Sequence, residues 1–151
     1  MTATKARQKQ ATKTRKHEKE GRYASRTGSV LFAKKLDHVA AFYCRVLGLD
    51  EASRDNDHIL LESPGFQLVV HRIPAHVGNG LLPSAVPARR ASAAFKPVFF
   101  VQSLAKLRAV VKVHGGVMEP RESEWSFNGD LVCDALDPEG NVVQFRQTVP
   151  K

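Results

Sequence analysis

Five side chains of kinds that bind or transform small molecules stand out in this 151-residue sequence: His71, Lys96, Trp125, Gln144 and Arg146. Gln144 and Arg146 are two residues apart in an apolar run, so in a strand both point to the same side. Gln144 offers an amide donor pair and a carbonyl acceptor, and if buried it must be hydrogen-bonded, to ligand or to protein. Lys96 and Arg146 suit a carboxylate or phosphate, and each is equally the kind of residue that ends a strand in solvent. Trp125, the sole tryptophan, lies beside Glu124 and Phe127, where it either stacks on a planar ligand or anchors its loop. His71 shares strand parity with Val69 and Gln67 and faces either a cavity or water. Glu62 becomes a general base only if it is buried. His38 and His114 fall on helices, His58 at a turn boundary and His76 beyond Pro74, so these four read as structural or surface residues. Cys44 and Cys133 are isolated, without CxxC spacing, and read as reduced core thiols of a cytoplasmic protein.

The elements that would position these side chains come from a repeat. Residues 29–49 (SVLFAKKLDHVAAFYCRVLGL) match residues 97–117 (PVFFVQSLAKLRAVVKVHGGV) at an offset of 68, each an apolar strand leading into an amphipathic helix that stops at glycine. A second echo, Ser63-Pro64-Gly65 before QLVVHR and Asp137-Pro138-Glu139-Gly140 before NVVQFR, is offset by 75. The seven added residues fall in an enlarged hairpin around Glu124 to Phe127. In the first copy the pattern gives a strand over 29–34, a helix from Leu36 to a left-handed cap at Gly48, then strands over 51–54, 58–62 and 66–72. In the second it gives a strand over 98–101, a helix capped by Ser103, and strands over 117–121, 131–136 and 141–147. Two copies of one βαβββ unit define an α+β fold whose natural binding site lies where the copies meet.

The chain therefore divides into a basic tail (1–27) and one domain (28–149), the latter made of a first module (28–74), a linker (75–95) and a second module (96–149). The tail holds nine Lys or Arg against two Glu and no Leu, Ile, Val, Phe or Trp, so it reads as disordered. Residues 28–151 keep 14 basic and 13 acidic residues, near neutrality, which disfavours nucleic acid as the domain's partner. No apolar run approaches the length of a membrane span, and no apolar stretch follows the basic residues as a secretory signal requires. Pro74, Pro83 and Pro87, with Gly78 and Gly80, fall within residues 73–95 and point to little regular structure there and to a lid or a crossover.

Two motifs sharpen this picture. Phe42-Tyr43 followed by Arg45-Val46-Leu47-Gly48 resembles the FYxxvLG pattern of the vicinal oxygen chelate superfamily, the glyoxalase and bleomycin-resistance group. Asp137-Pro138-Glu139-Gly140-Asn141 followed by Val142-Val143-Gln144-Phe145 resembles that group's DPxGNxxE[LF]. The resemblance spans residues 28–149 and implies paired βαβββ modules forming a cupped mixed sheet, commonly in a homodimer that pairs or exchanges modules. In this superfamily a metal is usually held at four equivalent strand positions. Here those positions carry Gly28, Val69, Lys96 and Gln144, a set without the converging donors that a divalent ion requires.

The expectation is thus a protein without metal or cofactor that binds a small planar or anionic organic molecule through Lys96, Gln144, Trp125, His71 and Arg146. The rival is a metal-dependent lyase, isomerase or dioxygenase of the same superfamily with a non-standard site, for instance His71 with Glu62. A third reading is nucleic-acid association through the tail.

Overall fold

The computed structural model describes residues 26–74, 87–92 and 94–149. The tail up to residue 25 and most of the linker lie outside the described residues.

In the first module, β1 (Thr27–Ala33) leads into α1 (Leu36–Leu47), followed by β2 (Asp50–Arg54), β3 (His58–Ser63) and β4 (Phe66–Arg72). These strands form one sheet in the order β1-β4-β3-β2, parallel between β1 and β4 and antiparallel elsewhere. The second module repeats the scheme with β5 (Val98–Phe100), α2 (Leu104–Val113), β6 (Val117–Met118), β7 (Trp125–Phe127), β8 (Asp130–Leu136) and β9 (Val142–Thr148). Its sheet runs β5-β9-β8-β6, with β7 added beside β8 and β5 again parallel to β9. The two-module α+β architecture is the one the repeat implies.

Boundaries differ in instructive places. β1 starts at Thr27, two residues early, because Thr27 N–H donates to Gly65 O at 2.9 Å and so joins the end of the β4 ladder. The expected strand over 117–121 shrinks to Val117–Met118. Pro120 lacks an N–H to continue the ladder and opens a 3-10 turn over Arg121–Ser123, while the enlarged hairpin supplies β7 as a substitute.

Each strand alternates between two faces. One face of each sheet carries Leu68, Val70, Ile59 and Leu61, or Val143, Phe145, Cys133 and Ala135, all buried in a single core with both helices. Phe99 joins the modules, its ring 5.6 Å from Phe66, 6.2 Å from Tyr43 and 6.4 Å from Phe145. Gly116 is required by this junction, since a Cβ there would lie 2.6 Å from the Phe42 ring and 2.7 Å from Leu136 O.

The two sequence motifs meet across the same junction. Tyr43, fully packed on α1, donates its hydroxyl to Asp137 at 3.1 Å, and the buried Asp137 also accepts from Glu139 N, Asn141 N and Asn141 Nδ2. Burial pushes the Tyr43 phenol well above its usual range, with the neighbouring Asp137 charge adding to the effect. Burial likewise raises the Asp137 carboxyl, opposed by the hydrogen bonds it accepts. Glu139 then accepts from Lys34 N and Lys35 N at 2.8 and 2.7 Å, so the turn of the second module caps the helix of the first.

Candidate functional site

The other face of each sheet bears no helix, and there the candidate side chains gather. On the second sheet the register sets Asp134 opposite Gln144, Val132 opposite Arg146, Trp125 opposite Val132, and Val98 opposite Gln144. Parity therefore brings Asp134, Gln144, Arg146, Trp125 and Phe127 to one side. Lys96 reaches them from the residue pair before β5, where Pro97 O accepts Gln144 N–H at 2.9 Å and fixes the approach.

Asp134 is the hub. Lys96 Nζ donates to both its oxygens, at 2.9 and 2.7 Å, and Gln144 Nε2 donates at 3.2 Å. Arg89 of the linker lies 3.6 Å from the same carboxylate and donates to Glu119 at 2.8 Å. Gln144 passes the network on: its Oε1 accepts from Arg146 Nε at 2.8 Å. The Arg146 guanidinium sits 4.9 Å from the centre of the Phe127 ring, and Lys96 Nζ sits 6.0 Å from that of Trp125. Asp134 and Gln144 are buried, whereas Trp125 and Phe127 remain 39% and 53% exposed. The arrangement is a satisfied polar floor flanked by two accessible aromatic faces.

Four of the five expected residues, Lys96, Trp125, Gln144 and Arg146, thus share one site. His71 does not join them. It lies on the helix-free face of the first sheet, its ring 4.2 Å from His58 and 5.1 Å from Phe32. Nor is it near Glu62: the ladder pairs His71 with His58 and Glu62 with Gln67, four residues further along, roughly 13 Å away at strand spacing. Glu62 is engaged instead by Arg26. Asp134 went unrecognised because no motif points to it. Its signal was a lone acid at alternate spacing in the otherwise apolar run Leu131-Val132-Cys133-Asp134-Ala135-Leu136.

The donor set does not suit a metal ion. Gln144 is a neutral amide, and Asp134, the carboxylate that accepts from it, already holds an ammonium, which would repel a divalent cation. Among the described residues no group of three or more His, Cys, Asp or Glu is placed to hold one.

A separate cavity of about 250 Å³ lies between the modules, walled chiefly by Val30, Leu31, Leu68, Phe95, Phe99 and Val143. Among its polar members, Arg90 is paired with Asn141 and Glu139, and Tyr43 with Asp137. None of the five candidate residues lines it.

The fold is that of the glyoxalase and bleomycin-resistance structures. No protein-family model and no curated protein matches the chain. Among solved structures, a glyoxalase/bleomycin resistance protein/dioxygenase family enzyme from Burkholderia phytofirmans PsJN superposes with a TM-score of 0.63 at 20% identity, covering 83% of this chain and 100% of its own. The fosfomycin resistance protein FosX from Listeria monocytogenes gives 0.60 at 14% identity, covering 84% of this chain and 95% of its own. A bleomycin-binding protein complexed with bleomycin gives 0.55 at 20% identity, covering 84% and 100%. Among the described residues no helix is long and apolar enough to cross a membrane.

Proposed function

We propose that the protein binds a small planar or anionic organic molecule, without a metal, on the helix-free face of its second sheet. The observation that supports this is the convergence of Lys96, Asp134, Gln144 and Arg146 beneath the exposed rings of Trp125 and Phe127. The Lys96–Asp134 pair joins an exposed lysine to a nearly buried carboxylate and contributes little net stability, because desolvation of Asp134 and solvent around Lys96 offset most of the Coulomb attraction, so a recognition role accounts for it better than folding does. The bleomycin-binding structure supports the reading by fold likeness. Unpaired Cys44 and Cys133 agree with a cytoplasmic setting.

The same faces also favour a homodimer. Val30, Phe32, Val98, Phe100 and Phe127 are all more than a third exposed on the helix-free sides, and a second copy would remove them from water. Sedimentation equilibrium tests this, and a monomer at micromolar concentration refutes it.

The functional test is titration of the full chain with a panel of neutral, cationic and anionic ring compounds, followed by the fluorescence of the single tryptophan and repeated with a chelator. Saturable changes unaffected by the chelator are expected. A flat panel, or binding that vanishes with the chelator, overturns the proposal.

A further inference from the structure

The charges in the site do not cancel. Arg89 pairs with Glu119 and Lys96 with Asp134, which leaves both pairs neutral. Arg146 has no acidic partner among the described residues. Its Nε–H is taken by Gln144 Oε1 and one face of its guanidinium lies towards Phe127, so the edge bearing its two terminal nitrogens is what remains for a ligand. That edge presents two parallel N–H donors, the spacing of which matches the two oxygens of a carboxylate. Lys96 is a poor anchor for the same ligand because both Asp134 oxygens already hold it, at 2.9 and 2.7 Å.

Resting on the binding role proposed above, we infer that the ligand is a planar monocarboxylate: Arg146 is its anchor, Trp125 and Phe127 flank its ring, and Asp134 sets its charge. By neutralising Lys96, Asp134 limits the site to one uncompensated positive charge. A monoanion is matched, whereas a dianion brings a second carboxylate onto a buried floor where, among the described residues, no further cation is left to receive it. Asp134 is thus a selector that need not touch the ligand, and Gln144 a positioning residue that turns the Arg146 fork outward.

The test uses the full-length chain with benzoate, its neutral isostere benzamide and the dianion phthalate as probes, read by calorimetry and by Trp125 fluorescence. Benzoate is expected to bind about tenfold or more tighter than benzamide, as a charge-assisted bidentate contact implies, with phthalate no tighter than benzoate. Arg146→Gln should erase the benzoate preference, and Arg146→Lys, a charge without the fork, should restore only part of it. Asp134→Asn frees Lys96 and should improve phthalate relative to benzoate by about tenfold. Lys96→Met, which needs no change in the buried floor, should weaken benzoate without abolishing its advantage over benzamide. Equal binding of benzoate and benzamide, or a preference that survives Arg146→Gln in a folded variant, overturns the monocarboxylate assignment while leaving small-molecule binding intact. Absence of saturable binding by the three probes overturns it too, and only a flat response to the whole ring-compound panel refutes the broader role.

Discussion

The two modules share a topology and differ along the helix-free face of their sheets. On the first sheet, Val30, Val69 and Leu60 stand abreast across β1, β4 and β3. At the corresponding register of the second sheet stand Val98, Gln144 and Asp134. One strand step away, Phe32, His71 and His58 correspond to Phe100, Arg146 and Val132. The core-facing rows stay apolar in both, because they close the same interior. Selection for packing therefore constrains one face of the repeat, and the helix-free face is where the copies are able to diverge. The second module carries ionic chemistry there, while the first has an aliphatic row edged by two imidazoles that meet edge to face.

If the modules are one cooperative body despite that divergence, the strongest break is at their tie. Asp137→Ala strips an acceptor from Tyr43, Glu139 N, Asn141 N and Asn141 Nδ2. At about 1–3 kcal/mol for each buried donor left unpaired, and with partial rescue by water, a loss of roughly 3–5 kcal/mol is expected. Urea unfolding should remain a single transition at lower midpoint. Two separated transitions would show that the modules are independent and the comparison is one between neighbours, not halves.

The next change makes the second row resemble the first. Asp134→Leu with Gln144→Val replaces the buried polar pair by the Leu60 and Val69 chemistry of the opposite module. Stability should hold within about 1–2 kcal/mol, because the buried carboxylate and amide leave together and the Lys96 ammonium, already exposed, returns to water, while planar-ligand binding falls at least about tenfold. Thermal unfolding and Trp125 titration read the two quantities. A large loss of stability would mean that the polar row serves the fold and would remove the contrast just drawn.

How far the sequence discloses all this follows the same division. The repeat, both helices, the glycine stop at Gly48 and the parity that joins Gln144 to Arg146 are legible because they depend on periodicity and local backbone chemistry. Gly48 takes the left-handed cap, with φ of 68°. Asp134 is not legible, since its meaning depends on cross-strand register and on Lys96 arriving from 38 residues away. His71 illustrates the converse. Its parity is correct, yet the ring beside it is His58, set there by the β3–β4 ladder, and its Nδ1 lies 2.7 Å from Arg72 O, not against Glu62. The role of Glu139 is equally hidden, because the helix it caps lies in the other module.

Alkali probes the tie by titration. Tyr43 has its folded pKa raised well above the ordinary 10.0, first by burial and then by Asp137. An unfolded chain ionises this phenol near pH 10 whereas the folded one retains the proton, so the contribution is complete below pH 10 and lost as pH rises beyond it. The slope approaches about 1.4 kcal/mol per pH unit. Tyr43→Phe should flatten this limb of the stability curve while lowering the neutral plateau. An unchanged alkaline slope would place the Tyr43 hydroxyl in water and cut the tie between the motifs.

The smallest contrast concerns how the two helices begin. α2 is capped locally: Ser103 Oγ accepts from Lys106 N at 3.3 Å, and Gln147 Oε1 accepts from Leu104 N at 2.8 Å. α1 has no side-chain cap of its own at Lys35 and relies on Glu139 of the second module, whose charge also favours a helix N-terminus. Ser103→Ala should cost about 1 kcal/mol, with Gln147 keeping one donor satisfied. Glu139→Ala should exceed it by roughly 1 kcal/mol, since two neighbouring N–H groups lose an anionic acceptor. Hydrogen exchange should then quicken at the start of α1, more than 100 residues away in sequence from the substitution. Equal costs, or exchange confined to the second module, would mean that each helix nucleates alone and that the modules are joined only through their core.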